Sequence, residues 1–108
     1  MNQSEAQKYN RFSSAYISMK LGNVGFYGLV DTGASISLCS KSLLSPEHLI
    51  DTKNIGKVRG ISGNYLNVLG KTTIDCEIGG TSFQFNVTVV EEMSDTVFIM
   101  GRDILESH

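Results

Sequence analysis

An acid closes an apolar run and is followed at once by a hydroxyl and a glycine: Leu29-Val30-Asp31-Thr32-Gly33-Ala34-Ser35. That order suits a carboxylate presented at a tight turn off a strand end, with close backbone approach allowed by Gly33. Hydrolysing an amide at mild pH needs an activated water and a proton for the leaving nitrogen. Two carboxylates sharing one proton supply both, the ionised one taking a proton from water and the protonated one polarising the carbonyl. Such a pair sits close enough that both members do not ionise together, and it titrates in two separated steps. The chain has no second copy of the motif. Asp31 is therefore half of a pair, and the other half would have to come from a second molecule. The competing reading of the same residues is a capping aspartate in an ordinary turn.

The elements that would carry this acid are short strands. Eleven glycines and one proline punctuate brief apolar stretches in 108 residues, which is the spacing of an all-β chain. Residues 16–21 read as a strand, Gly22-Asn23 as a turn, and residues 24–30 as the strand leading into Asp31. Ile36-Ser37-Leu38-Cys39-Ser40 alternates apolar and polar, the pattern of a half-buried strand. Ser45-Pro46-Glu47-His48-Leu49 predicts an N-cap, a proline at the first helical position and one helical turn. Residues 57–69 read as a hairpin tipped by Arg59-Gly60-Ile61-Ser62-Gly63-Asn64. Residues 71–78 form the next strand, Gly79-Gly80 a two-residue turn, and residues 83–90 a strand with Phe83, Phe85, Val87 and Val89 on one face. Residues 97–100 are a short apolar strand, and a helix begins at Arg102. The order of strand, glycine turn, strand and apolar-Gly segment occurs at 16–33 and is echoed at 72–101.

Composition narrows the function classes. The length fits one domain, read as an N-terminal tail over residues 1–13 and a folded domain over residues 14–108. A chain this small is marginal alone, so oligomerisation is expected. Net charge is −2 with no basic patch, which disfavours nucleic acid as a partner. No apolar run approaches the ~18 residues of a membrane span. Cys39 and Cys76 are the only cysteines. They are not a Cys-x-x-Cys pair, and neither histidine is near them in sequence, so no metal and no cofactor is expected, and both read as small buried strand residues.

Three features in order make a resemblance specific. The Asp31-Thr32-Gly33-Ala34 segment follows the apolar Phe26, Leu29 and Val30; a glycine-tipped hairpin follows; and Val97-Phe98-Ile99-Met100-Gly101-Arg102-Asp103-Ile104-Leu105 closes the chain. Together they resemble the retropepsins, the retroviral-type aspartic proteases, over residues 14 to 105. The Gly-Arg-Asp-Ile-Leu ending looks most like the enzymes of long-terminal-repeat retrotransposons. The resemblance implies an all-β fold: a closed β-barrel subunit with a glycine-tipped flap hairpin and a short C-terminal helix. It places the second apolar-Gly segment against the loop bearing Asp31.

The resemblance also implies roles. Asp31 would be catalytic, with Thr32, Gly33 and Ala34 supporting the site, Thr32 by a hydrogen bond across a dimer axis. Ser35, Ile36, Arg59, Gly60, Ile61, Ser62, Val97 and Ile99 would contact substrate, the flap excluding water while a peptide is bound. Arg102 matches an arginine that in viral relatives often pairs with an acid two residues after the active-site glycine. That position here is Ser35, so the guanidinium would turn to backbone carbonyls near Asp31. Many viral relatives end in a strand that joins a sheet between subunits, whereas this chain stops as a helix begins; the expectation is a dimer held differently or weakly. The function implied is a homodimeric endopeptidase acting on a polyprotein, in the cytoplasm and within virus-like particles. The alternatives are a dimerisation or peptide-binding domain of the same fold with little turnover, and one lobe of a bilobal protease.

Overall fold

Gly22 and Asn23 reverse the chain, with Gly22 at φ 63°, and the strands on either side pair residue for residue from Ala15↔Val30 to Leu21↔Val24. These are β1 (Ala15–Leu21) and β2 (Val24–Val30). The computed structural model describes residues 15–46, 48, 50–53, 56–59, 65–93 and 96–107, with the backbone alone at 57–59. The tail expected over residues 1–13 and the hairpin tip at residues 60–64 lie outside them. The remaining elements are β3 (Leu38–Ser40), β4 (Gly56–Arg59), β5 (Tyr65–Ile78), β6 (Thr81–Val90), β7 (Phe98–Met100) and the helix α1 (Arg102–Ser107).

The strands lie in the order β1-β2-β7-β3-β6-β5-β4, and β1 also pairs with β5 through Lys20↔Glu77 and Leu21↔Cys76. That pairing closes six strands into a barrel. β4 stays outside the ring, bonded to β5 as the other arm of the hairpin. The fold is thus the all-β closed barrel with a hairpin arm and a short C-terminal helix. Gly79 and Gly80 have φ of 58° and 84°, a pair of left-handed residues suited to the tight β5–β6 turn.

Three local expectations are corrected. The strand read over residues 36–40 is shorter, only Leu38–Ser40, and Ser37, Leu38, Cys39 and Ser40 are all buried. β3 runs between β6, parallel, and β7, antiparallel, and its residues are buried on both faces, Cys39 in one apolar cluster and Leu38 in another, so alternation does not apply. Of the helical turn expected at 45–49, the described residues 45, 46 and 48 carry no helix: a 3₁₀ turn falls earlier, at Lys41–Leu43, and the Ser45 carbonyl accepts the His48 N–H at 3.1 Å. The strand expected at 71–78 is the second half of one fourteen-residue strand, continuous with the hairpin arm. Its register slips between Val68 and Gly70, where Leu69 is the extra residue of a bulge.

Two apolar clusters fill the barrel. One holds Met19, Cys39, Ile74, Phe85, Phe98 and neighbours; the other holds Leu29, Leu38, Val68, Val90, Met93 and Ile99. Phe98, with no exposed surface, lies 5.9 Å from the Phe26 ring and 6.5 Å from that of Phe85. Cys39 and Cys76 are free and buried in the first cluster. Burial pushes the Cys39 thiol up to about 12 and that of Cys76 to about 11, with the proximity of Cys76 adding to the shift at Cys39 and that of Asp75 to the shift at Cys76. Neither forms thiolate near neutrality, so alkylation by iodoacetamide at pH 8 should be negligible in the native protein and complete in denaturant. Rapid native labelling would contradict this packing.

Candidate active site

The site is made where two strands end side by side. β2 and β7 run parallel, pairing Leu29↔Ile99 and Val30↔Met100, so both apolar-Gly segments stop at the same level. The Asp31 N–H continues the ladder by donating to the Met100 carbonyl at 3.0 Å. This puts the second segment against the loop bearing Asp31, as the resemblance implies. Beyond the strand end the chain turns tightly. Ala34 N–H donates to the Asp31 carbonyl at 3.2 Å, and Gly33 N–H donates to Asp31 Oδ1 at 2.9 Å. The carboxylate is half-buried, with Thr32 and Gly33 exposed beside it. An acid held from two sides by backbone, with its turn open to solvent, is preorganised for contact with something outside the subunit.

The loop is closed from behind by the start of α1. Arg102 N–H donates to the Ala34 carbonyl at 2.8 Å, and Gly101 N–H donates to Ser37 Oγ at 2.9 Å. Gly101 is buried and tightly enclosed: a Cβ there would fall 2.5 Å from the Ile36 carbonyl oxygen and 2.9 Å from that of Ala34. Arg102 thus reaches the loop near Asp31 through its amide; its side chain is exposed. The acid in this region is Asp103, whose carboxylate accepts from Ser37 N–H and Oγ–H at 3.1 and 2.5 Å. Ser37 was not singled out by its sequence. The available signal was a small hydroxyl wedged between Ile36 and Leu38, a polar group that needs a partner if buried.

The other residues singled out in the sequence are distributed as follows. Ala34 packs on the cluster of Leu29 and Leu38. Ser35 and Ile36 are exposed on the loop. Val97, half-buried, lines a shallow apolar hollow with Tyr16, Tyr27 and Thr96. Ile99, by contrast, is 2% exposed and packed in the core, where within one subunit it backs the wall. Arg59 ends β4, its backbone paired with Tyr65; Gly60, Ile61 and Ser62 lie outside the described residues. No helix among the described residues is long and apolar enough to cross a membrane.

Comparison with known proteins gives the same architecture. The chain is similar over 88% of its length to the retroviral protease-like domain of Ddi1 from Leishmania major, with 77% of that chain covered, a TM-score of 0.67 and 20% identity. It is similar to the EIAV protease complexed with the inhibitor HBY-793, with 92% and 91% of the two chains covered, a TM-score of 0.63 and 21% identity. No curated protein matches the sequence significantly. The family model described as retroviral aspartyl protease matches residues 13–108. With that match spanning nearly all of a closed barrel that presents an Asp-Thr-Gly turn at its mouth, the chain belongs to the retroviral aspartyl protease family.

Proposed function

We propose that the protein is a homodimeric aspartic endopeptidase that processes a retroelement polyprotein. The observation that carries this reading is Asp31: one such acid per chain at an exposed turn, its carboxylate accepting the Gly33 N–H and its own N–H tied to the β7 backbone. Two subunits facing each other through that turn bring two Asp31 carboxylates together. One takes a proton from water as the water attacks the scissile carbonyl, and the other carboxyl gives its proton to the carbonyl oxygen; the first then passes the proton it took to the leaving nitrogen as the C–N bond breaks, and the second recovers a proton from the tetrahedral diol. Thr32 sits beside each acid to bond across the axis. Ser35, Ile36 and Val97 form the accessible wall with Ile99 behind it, and the mainly apolar character of that set favours hydrophobic side chains beside the scissile bond. The hairpin of β4 and β5 closes over the peptide with Arg59, Gly60, Ile61 and Ser62. No cofactor enters the mechanism. The site of action is the cytoplasm, within virus-like particles.

The test combines sedimentation with peptide cleavage over a dilution series and across pH. Specific activity should follow the dimer population and fall as the protein is diluted through its dissociation constant, while a tethered two-copy chain resists the fall. It should be greatest in the acid to mildly acid range, where one proton is shared by the pair, and unchanged by EDTA. Undiminished specific activity where only monomer sediments would refute a shared site. Peptide binding without turnover at every pH would identify a binding domain instead.

A further inference from the structure

Behind the loop, one carboxylate holds a segment 66 residues distant in sequence. Ser37 has no exposed surface, and its hydroxyl is used on both sides: it donates to Asp103 Oδ1 at 2.5 Å and accepts the Gly101 N–H at 2.9 Å. Its amide donates to the other oxygen, Asp103 Oδ2, at 3.1 Å. Asp103 Oδ1 also accepts the Ile104 N–H at 2.7 Å, which fixes the carboxylate on its own helix. Bonds to an ionised acceptor are roughly twice as strong as neutral ones. The segment is therefore pinned at both ends: Arg102 N–H holds the Ala34 carbonyl, and Ser37 is held by Asp103 and by the Thr88 N–H, which donates to its carbonyl at 3.0 Å. Between the pins stand Ser35 and Ile36, both exposed. Asp31 is held separately, by Gly33 and Met100.

We propose that Asp103 is the positioning residue for the substrate wall: acting through Ser37, it sets the place of Ser35 and Ile36 without touching the catalytic carboxylate. This rests on the reading of Ser35 and Ile36 as contacts for the peptide. It separates two functions within one loop. The catalytic acid depends on β7, and the binding wall depends on α1. Asp103 takes the anchoring role from a direction that an acid at position 35 would not: from behind the loop, through a buried hydroxyl.

The experiment measures kcat and KM for one peptide at protein concentrations on the plateau of the dilution curve, together with amide hydrogen exchange of residues 34–37. Asp103→Ala should raise KM about tenfold, the equivalent of one strong hydrogen bond, with kcat kept within about threefold. Exchange at residues 34–37 should accelerate at least tenfold, with the amides of β2 unaffected. Asp103→Asn should recover only part of the KM, since both carboxylate oxygens accept backbone N–H groups and the NH₂ of asparagine would face either the Ile104 N–H or the Ser37 N–H. Ser37→Ala, which removes only one oxygen and leaves the carboxylate in place should the first variant fold poorly, should fall between them, and Glu106→Gln on the exposed face of the same helix should match wild type. The double variant Ser37→Ala/Asp103→Ala should add less to Asp103→Ala than Ser37→Ala adds to wild type, since the Gly101 N–H bond alone is left for it to remove. Unchanged KM and exchange, or a fall in melting temperature alone, would overturn the proposal, as would a loss confined to kcat. A wild-type chain that cleaves nothing would defeat the protease reading instead, and exchange at 34–37 would still decide what Asp103 holds.

Discussion

Replacing Asp31 by Asn should leave a folded, dimer-competent protein with cleavage reduced at least 10³-fold, within the range expected when acid–base catalysis is removed. Asparagine has the same shape, and its Oδ1 can still accept the Gly33 N–H that aspartate accepts at 2.9 Å. The backbone link from residue 31 to the Met100 carbonyl does not involve the side chain. What disappears is the charge and the ability to take a proton from water, in both halves of the site at once. A tethered chain with Asp31 in only one copy should be equally inactive, because the remaining carboxylate has no partner with which to share a proton. The check is kcat of the purified variant beside its melting temperature. Near wild-type turnover in a well-folded Asp31→Asn protein would end the aspartic-protease reading.

The second large effect is expected at a residue with no side chain. Gly101→Ala places a methyl 2.5 Å from the Ile36 carbonyl oxygen, 2.7 Å from its carbon and 2.9 Å from the Ala34 carbonyl oxygen. All three are backbone atoms, so no rotamer change relieves the contact. The loop must move away from β7 and α1, and the bonds from Gly101 N–H to Ser37 Oγ and from Arg102 N–H to the Ala34 carbonyl weaken with it. Overpacking of about 1–3 kcal/mol and two hydrogen bonds at about 1 kcal/mol each sum to roughly 3–5 kcal/mol. For a domain of this size that lowers the melting temperature by about 15 °C or more. Gly56→Ala is the control, since a Cβ there meets nothing within 4 Å. A Gly101→Ala protein melting within a few degrees of wild type would show that the loop yields freely.

The parts of this structure that could be read in advance were those written locally. The apolar run into Asp31, the Gly22 and Gly79-Gly80 turns and the helix after Gly101 each depend on neighbours in the chain. β3 could not be read that way. Its burial comes from β6 and β7, brought from fifty and sixty residues away, and a strand covered on both faces has no period to detect. The long β5 was divided in two because Leu69-Gly70-Lys71 looks like an ending. Instead Gly70 follows a bulge at Leu69 and is crowded by the backbone of Asp51, which pairs with Lys71. The Ser35 that replaces the expected acid was legible as a departure. Its structural counterpart, the Ser37–Asp103 contact, was not, because its two residues stand 66 positions apart and neither segment alone announces it.

The closure of the barrel has a consequence for where the molecule opens. Each of the six ring strands has neighbours on two sides, so freeing any one of them disrupts two ladders and exposes part of the core. β4 has a single ladder, four residue pairs from Gly56↔Val68 to Arg59↔Tyr65, and its release leaves the ring whole. Local opening free energies therefore fall into two tiers, with the hairpin arm on the lower one and the barrel near the global value. The fold confines its cheapest strand excursion to the arm outside the ring, and the carboxylate-bearing turn stays on the rigid tier while that excursion occurs.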